Sequence, residues 1–134
     1  LPVAIRTTGV EPLQLTARQA DLAAELDRQV AALAESVEGT IGVIAAPSRL
    51  DSLSSLATSE TGAIQANAER VVFLSPLNAK GLEFDAVIVV GPDEIVAESP
   101  GGVRVLYVAL TRPTQRLVTL DVGESAGAWR ESLR

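Results

Sequence analysis

The sequence predicts an α/β domain with a mostly parallel sheet, and three observations predict it. Four short apolar runs recur along the chain: TIGVIA at 40–45, RVVFLS at 70–75, DAVIVV at 85–90 and QRLVTLD at 115–121. The run at 40–45 is continuous rather than alternating, the pattern of a strand buried on both faces. Segments with helical spacing of apolar residues lie between the runs. Strands alternating with helices give a parallel sheet, and right-handed crossovers place the helices on both of its faces. Ligands of such sheets usually sit beyond the carboxyl ends of the strands.

Each element has a local reason. Residues 1–15 hold two prolines and a glycine, with a short β-like segment at Pro2–Ile5. Thr16 is a fair N-cap. From Ala17 onward, Leu22, Leu26, Val30, Leu33 and Val37 form one stripe, and Asp21, Glu25, Arg28 and Gln29 fill the other side. This predicts an amphipathic helix over 17–37, stopped at Gly39. Pro47 ends the strand at 40–45. Leu50, Leu53 and Leu56 are spaced three apart and predict a short helix over 48–56. Residues 57–69 are small and polar, a loop or a second short helix. Gly91-Pro92 closes the strand at 85–90, and Ser99-Pro100-Gly101-Gly102 is a loop. Residues 103–110 read as a helix with Leu106 and Leu110 on one face. Residues 124–134 read as a terminal helix carrying the only tryptophan, Trp129.

Composition excludes whole classes. The 134 residues suit one domain, read as 1–134, and 47% hydrophobic content supplies a core that a disordered tail lacks. No run of eighteen apolar residues exists, and the first residues lack the order of a signal peptide. A cytoplasmic location without a membrane partner is the expectation. The chain has no Cys and no His. A disulfide framework, a thiolate nucleophile, Cys-ligated zinc and a Ser-His-Asp triad are therefore excluded, and no metal-ligating residues are assigned. Met is absent too, and the first residue is Leu1, so the chain reads as an excised piece of a larger protein. The net charge of −6 argues against a nucleic-acid-binding surface over the whole domain. The ten arginines leave room for a local basic strip, and Lys80 is the single lysine.

Two segments carry chemistry. In SPLNAKGLEFDAVIVV, residues 75–90, a strand ends at Ser75 and a polar turn presents Lys80, Gly81 and Glu83. Lys80 offers a point charge suited to phosphate. Gly81 admits close backbone approach, and Glu83 can accept hydrogen bonds from ribose hydroxyls. The plainer reading is a solvated loop. In LYVALTRPTQRL, residues 106–117, Pro113 disfavours helical geometry at Arg112 and ends the helix. Arg112 then projects from an element end, where its planar fork can grip phosphate oxygens. The plainer reading is a cation set against a helix dipole. Arg116, just beyond, reads as an ordinary surface residue.

Together these segments resemble motifs V and VI of the UvrD/Rep/PcrA-type superfamily 1 helicases, where they mark the second RecA-like motor domain. The resemblance is specific over about residues 70–121 and weaker over 1–60. It implies a RecA-like domain without its own P-loop. It also implies ATP and Mg2+, held mainly by a first motor domain that is the N-terminal partner in the same protein. Arg112 matches the motif VI arginine that reaches the γ-phosphate, Glu83 the motif V glutamate near the ribose, and Lys80 and Gly81 the turn lining that cleft. Arg49, in VIAAPSRLDSL, matches the motif IV arginine less closely; a surface arginine at a helix start is the equal alternative.

Three departures stand out: no G-x-x-x-x-G-K-[ST] string occurs, the family's large insertion between motifs IV and V is missing, and Leu77 stands where a histidine near single-stranded DNA is common. Pro113 also replaces a more usual alanine. A compact domain of this kind looks like the HelD-type ATPases that act on RNA polymerase, so DNA and RNA polymerase are both candidate targets. Two rivals are a catalytically idle interaction module and a small stand-alone ligand-binding protein.

Overall fold

The computed structural model describes residues 12–55, 62–123 and 129. Five strands, β1 (Pro12–Ala17), β2 (Ile41–Ala45), β3 (Val71–Leu74), β4 (Phe84–Val90) and β5 (Pro113–Val122), form one sheet. Its order is β1-β5-β4-β2-β3, and every neighbouring pair is parallel. The helices are α1 (Leu22–Ser36), α2 (Pro47–Ser54), α3 (Ala63–Ala66), α4 (Pro76–Ala79), α5 (Pro92–Glu98) and α6 (Gly102–Leu110).

The sheet is covered on both faces, as continuous apolar strands require. On one face Leu22, Leu26, Val30 and Leu33 of α1 pack with Ile64 of α3 on Val43, Ile88 and Leu120. On the other, Ile95 of α5 and Leu106 and Leu110 of α6 pack on Ile44, Val87, Val89 and Leu117. Along β4 the side chains alternate between the two cores, Ala86, Ile88 and Val90 to one and Val87 and Val89 to the other.

Side chains close the helix ends. Asp27 of α1 accepts from the backbone N–H of Ala63 and Ile64 at 3.0 and 2.9 Å, capping α3 from outside. Arg70 donates to the carbonyls of Ala34, Val37 and Gly39, where α1 ends. Trp129 is buried in the second core. Its backbone N–H donates to Asp93 at 2.6 Å and its indole N–H to the buried Asp121 at 2.7 Å. A carboxylate with no solvent exposure needs such donors.

Three expectations are corrected. A fifth strand, β1, precedes the first apolar run, and Thr16 lies within it rather than capping a helix. β1 is an edge strand in which only Ala17 is buried, so it lacks the apolar signature of its neighbours. The chain then makes a single 3-10 turn at Gln19–Asp21, and α1 starts at Leu22 rather than at 17. Residues 92–98, to which the sequence reading assigns no element, form α5, started by Pro92. The β-like segment at 2–5 lies outside the described residues, as does the terminal helix apart from Trp129, which is helical. No helix among the described residues is long and apolar enough to cross a membrane.

Candidate functional site

The two segments that carry chemistry meet at the amino-terminal edge of the sheet. β4 and β5 are neighbours, so the residues leading into them lie side by side. The Phe84 N–H donates to the Arg112 carbonyl at 3.2 Å and ties the starts of the two strands together.

The first segment is a tight turn. Ser75 caps α4, its hydroxyl accepting from the Asn78 N–H at 3.3 Å, and Pro76 occupies the first helical position. The helix lasts one turn. Gly81 then adopts φ +83°, a left-handed conformation that strains any side chain, and a Cβ there would meet nothing within 4 Å. The backbone is thus open to an approaching ligand. Lys80 and Glu83 flank it, both exposed.

The second segment is a helix end. The Thr111 hydroxyl lies 3.0 Å from the Tyr107 carbonyl and 3.1 Å from that of Val108, closing α6. The Arg112 guanidinium folds back over the same terminus, donating from Nε to the Val108 carbonyl at 3.0 Å. Its Nη2 lies 3.3 Å from Thr111 Oγ1, and its Nη1 donates across to the Leu82 carbonyl at 3.3 Å. The expectation of a freely projecting Arg112 is corrected: three oxygens of the chain hold it. The position is one where a helix dipole favours a cation. The bond to the Leu82 carbonyl also ties the side chain to the turn that holds Gly81 and Glu83. Two contributors went unassigned in the sequence: Thr111, which touches the guanidinium, and Leu82, which acts through its carbonyl. A backbone acceptor has no residue-type signal.

Arg49 is not part of this group. It follows the carboxyl end of β2, whereas Arg112 precedes the start of β5, so parallel strands put them at opposite edges of the sheet. Its assignment beside Arg112 is corrected. Arg49 instead grips Glu94 with two bonds, Nε at 3.0 Å and Nη2 at 2.6 Å, and donates from Nη1 to Gln19 at 2.7 Å. The Glu94 hydrogen bond, against the desolvation of burial, holds the guanidinium above its ordinary value.

β2 leads on to β3 and β4 leads on to β5, in opposite directions across the sheet, so the β2–β4 crevice is the topological switch point. The ion pair spans that crevice from α2 to α5, with Ser48 donating to Glu98 beside it. The usual ligand position beyond the carboxyl ends is therefore bridged by the protein's own side chains. Arg49→Ala should lower stability by about 1–2 kcal/mol, seen as a lower urea midpoint. Arg49→Lys should restore little, because an ammonium cannot span both carboxylate oxygens. A raised arginine pKa gives a contribution complete at any pH below the arginine range, so the loss should be equal at pH 6 and pH 8. An unchanged midpoint would make the pair an ordinary screened surface contact.

Two cations, one carboxylate and an open backbone suit phosphate oxygens and a sugar. Among the described residues, no group of three or more His, Cys, Asp or Glu side chains is placed to hold a metal ion.

Residues 71–120 match the family model of the UvrD-like helicase C-terminal domain. The matched stretch runs from β3 nearly to the end of β5 and includes every residue of the edge just described. Among solved structures, the C-terminal domain of a possible DNA helicase from Lactobacillus plantarum WCFS1 superposes with a TM-score of 0.65. The two are 23% identical over 84% of this chain and 74% of that one. At that identity the likeness shows the fold: an α/β domain with a parallel five-stranded sheet, as in a RecA-like helicase C-terminal domain. The comparison with curated proteins gives no match.

Proposed function

We propose that this chain is the C-terminal motor domain of a superfamily 1 helicase-type ATPase. In this reading it closes on ATP and Mg2+ held by the P-loop motor domain that precedes it in the same protein. The observation that carries the reading is the joining of Gly81, Glu83 and Arg112 at one edge, through the Leu82 carbonyl, within the residues that match the helicase domain. Arg112 supplies cationic charge to the phosphate oxygens where negative charge develops. Glu83 accepts from the sugar, and Gly81 lets the turn approach. Lys80 precedes Gly81 in the chain, and its side chain lines the neighbouring groove between α4 and α6. Closing and reopening of the two domains then converts hydrolysis into motion.

A second reading concerns the target. Leu77 on α4 is 71% exposed, an aliphatic side chain where the resembling helicases often place a histidine near single-stranded DNA. That favours a HelD-type ATPase acting on RNA polymerase over a DNA translocase. The test is ATP turnover by the two-motor protein alone, with single-stranded DNA and with RNA polymerase. Stimulation by polymerase with DNA inert supports the second reading. Stimulation by DNA returns the protein to the translocases. No hydrolysis under any condition would overturn the ATPase reading and leave an interaction module.

A further inference from the structure

Among the described residues, the exposed apolar surface is concentrated on one helical layer. Six large hydrophobic side chains are exposed among the described residues. Leu13 and Val72 lie on the edge strands β1 and β3. Leu77, Leu82, Val103 and Tyr107 all lie on α4, the turn after it, and α6. Between α4 and α6 runs a groove of about 180 Å³. Pro76, Leu77, Val105 and Val108 are its apolar walls, and Lys80 and Arg104 are its polar ones. Among the described residues no acidic side chain stands in those walls, although the chain as a whole carries a charge of −6.

We infer that this groove docks an acidic amphipathic helix of a partner protein. The aliphatic floor suits one or two leucine- or isoleucine-sized anchors set one turn apart, at i and i+3 or i+4, the way a helix fills a groove. Arg104 on α6 and Lys80 at the end of α4 flank that floor with positive charge, complementary to Asp and Glu on the edges of such a helix. The four apolar walls are aliphatic. A nucleic-acid strand has negative charge as well, but its bases are held by stacking on aromatic side chains. Lys80 belongs both to this groove and to the turn at Gly81, so the variants that test the groove are placed at Arg104 and Leu77, away from that turn.

The test is selection from a displayed library of helical peptides of about 16 residues, with the 134-residue chain as bait. The enriched peptides should carry the aliphatic spacing with flanking Asp and Glu. A synthetic representative should bind about tenfold more weakly to Arg104→Glu and to Leu77→Asn. Both side chains are exposed, so the circular dichroism spectrum of each variant should match that of the parent chain. An absence of enrichment, enrichment of basic peptides, or equal binding to the variants would overturn the inference. So would preferential binding of an oligothymidylate, which would assign the groove to nucleic acid.

Discussion

Replacing Arg112 with alanine in the two-motor protein should lower ATP turnover by about 10³-fold while nucleotide affinity stays within a few-fold. The size follows from where the charge acts. A cation aimed at phosphoryl oxygens in a closed, dry cleft stabilises the developing charge far more than the ground state. Arg112→Lys should recover little, because the guanidinium is fixed by its shape. Nε lies on the Val108 carbonyl, Nη1 on the Leu82 carbonyl and Nη2 on Thr111, and an ammonium cannot make that pattern. The same bonds create a rival explanation, since they also cap α6. Losing the cation together with its hydrogen bonds at this helix end costs about 1–2 kcal/mol, against the roughly 4 kcal/mol of barrier that a 10³-fold loss of turnover represents. Thermal unfolding of the variant should therefore shift by a few degrees while turnover collapses. Normal turnover with a lowered melting temperature would make Arg112 a helix cap and nothing more.

Much of this was legible because the relevant partners are close in sequence or uniform in burial. β2 and β4 announce themselves because nearly every residue in them is buried, which permits only apolar side chains. The turn at 80–83 and the helix end at 111–112 show as short strings because each is local. β1 was illegible for the opposite reason. An edge strand with one buried residue has no pattern to display, and its pairing with β5 joins residues about a hundred positions apart. α5 was hidden by its composition: Asp93 and Glu94 open it and Ile95 is its one buried large side chain. Arg49 shows the limit for side chains. Its neighbours in sequence suggested a phosphate ligand, but its partner is Glu94, brought in by an adjacent strand from 45 residues away. Spacing within a motif cannot reveal a carboxylate supplied by the tertiary fold.

Gly102→Ala should strongly destabilise the domain. Gly102 opens α6 and is buried against α5. A Cβ at that position would lie 2.0 Å from the Val96 carbonyl oxygen and 2.6 Å from its carbon. These are backbone atoms, so no rotamer change relieves the overlap, and α5 and α6 must separate. Those two helices carry Ile95, Leu106 and Leu110 into the second core. Overpacking of a well-filled interior costs about 1–3 kcal/mol, and a clash with fixed backbone belongs at the top of that range. The neighbouring glycine supplies the control. At Gly101 a Cβ meets nothing within 4 Å, and only its left-handed φ of +64° opposes a side chain. Gly101→Ala should cost about 1–2 kcal/mol by that backbone term alone. Urea unfolding followed by circular dichroism separates the two. Equal losses would mean that α5 and α6 slide apart without resistance. The larger loss at Gly102 would show that the spacing of this helical layer, on which the position of Arg112 at the far end of α6 depends, is set by direct contact between backbones.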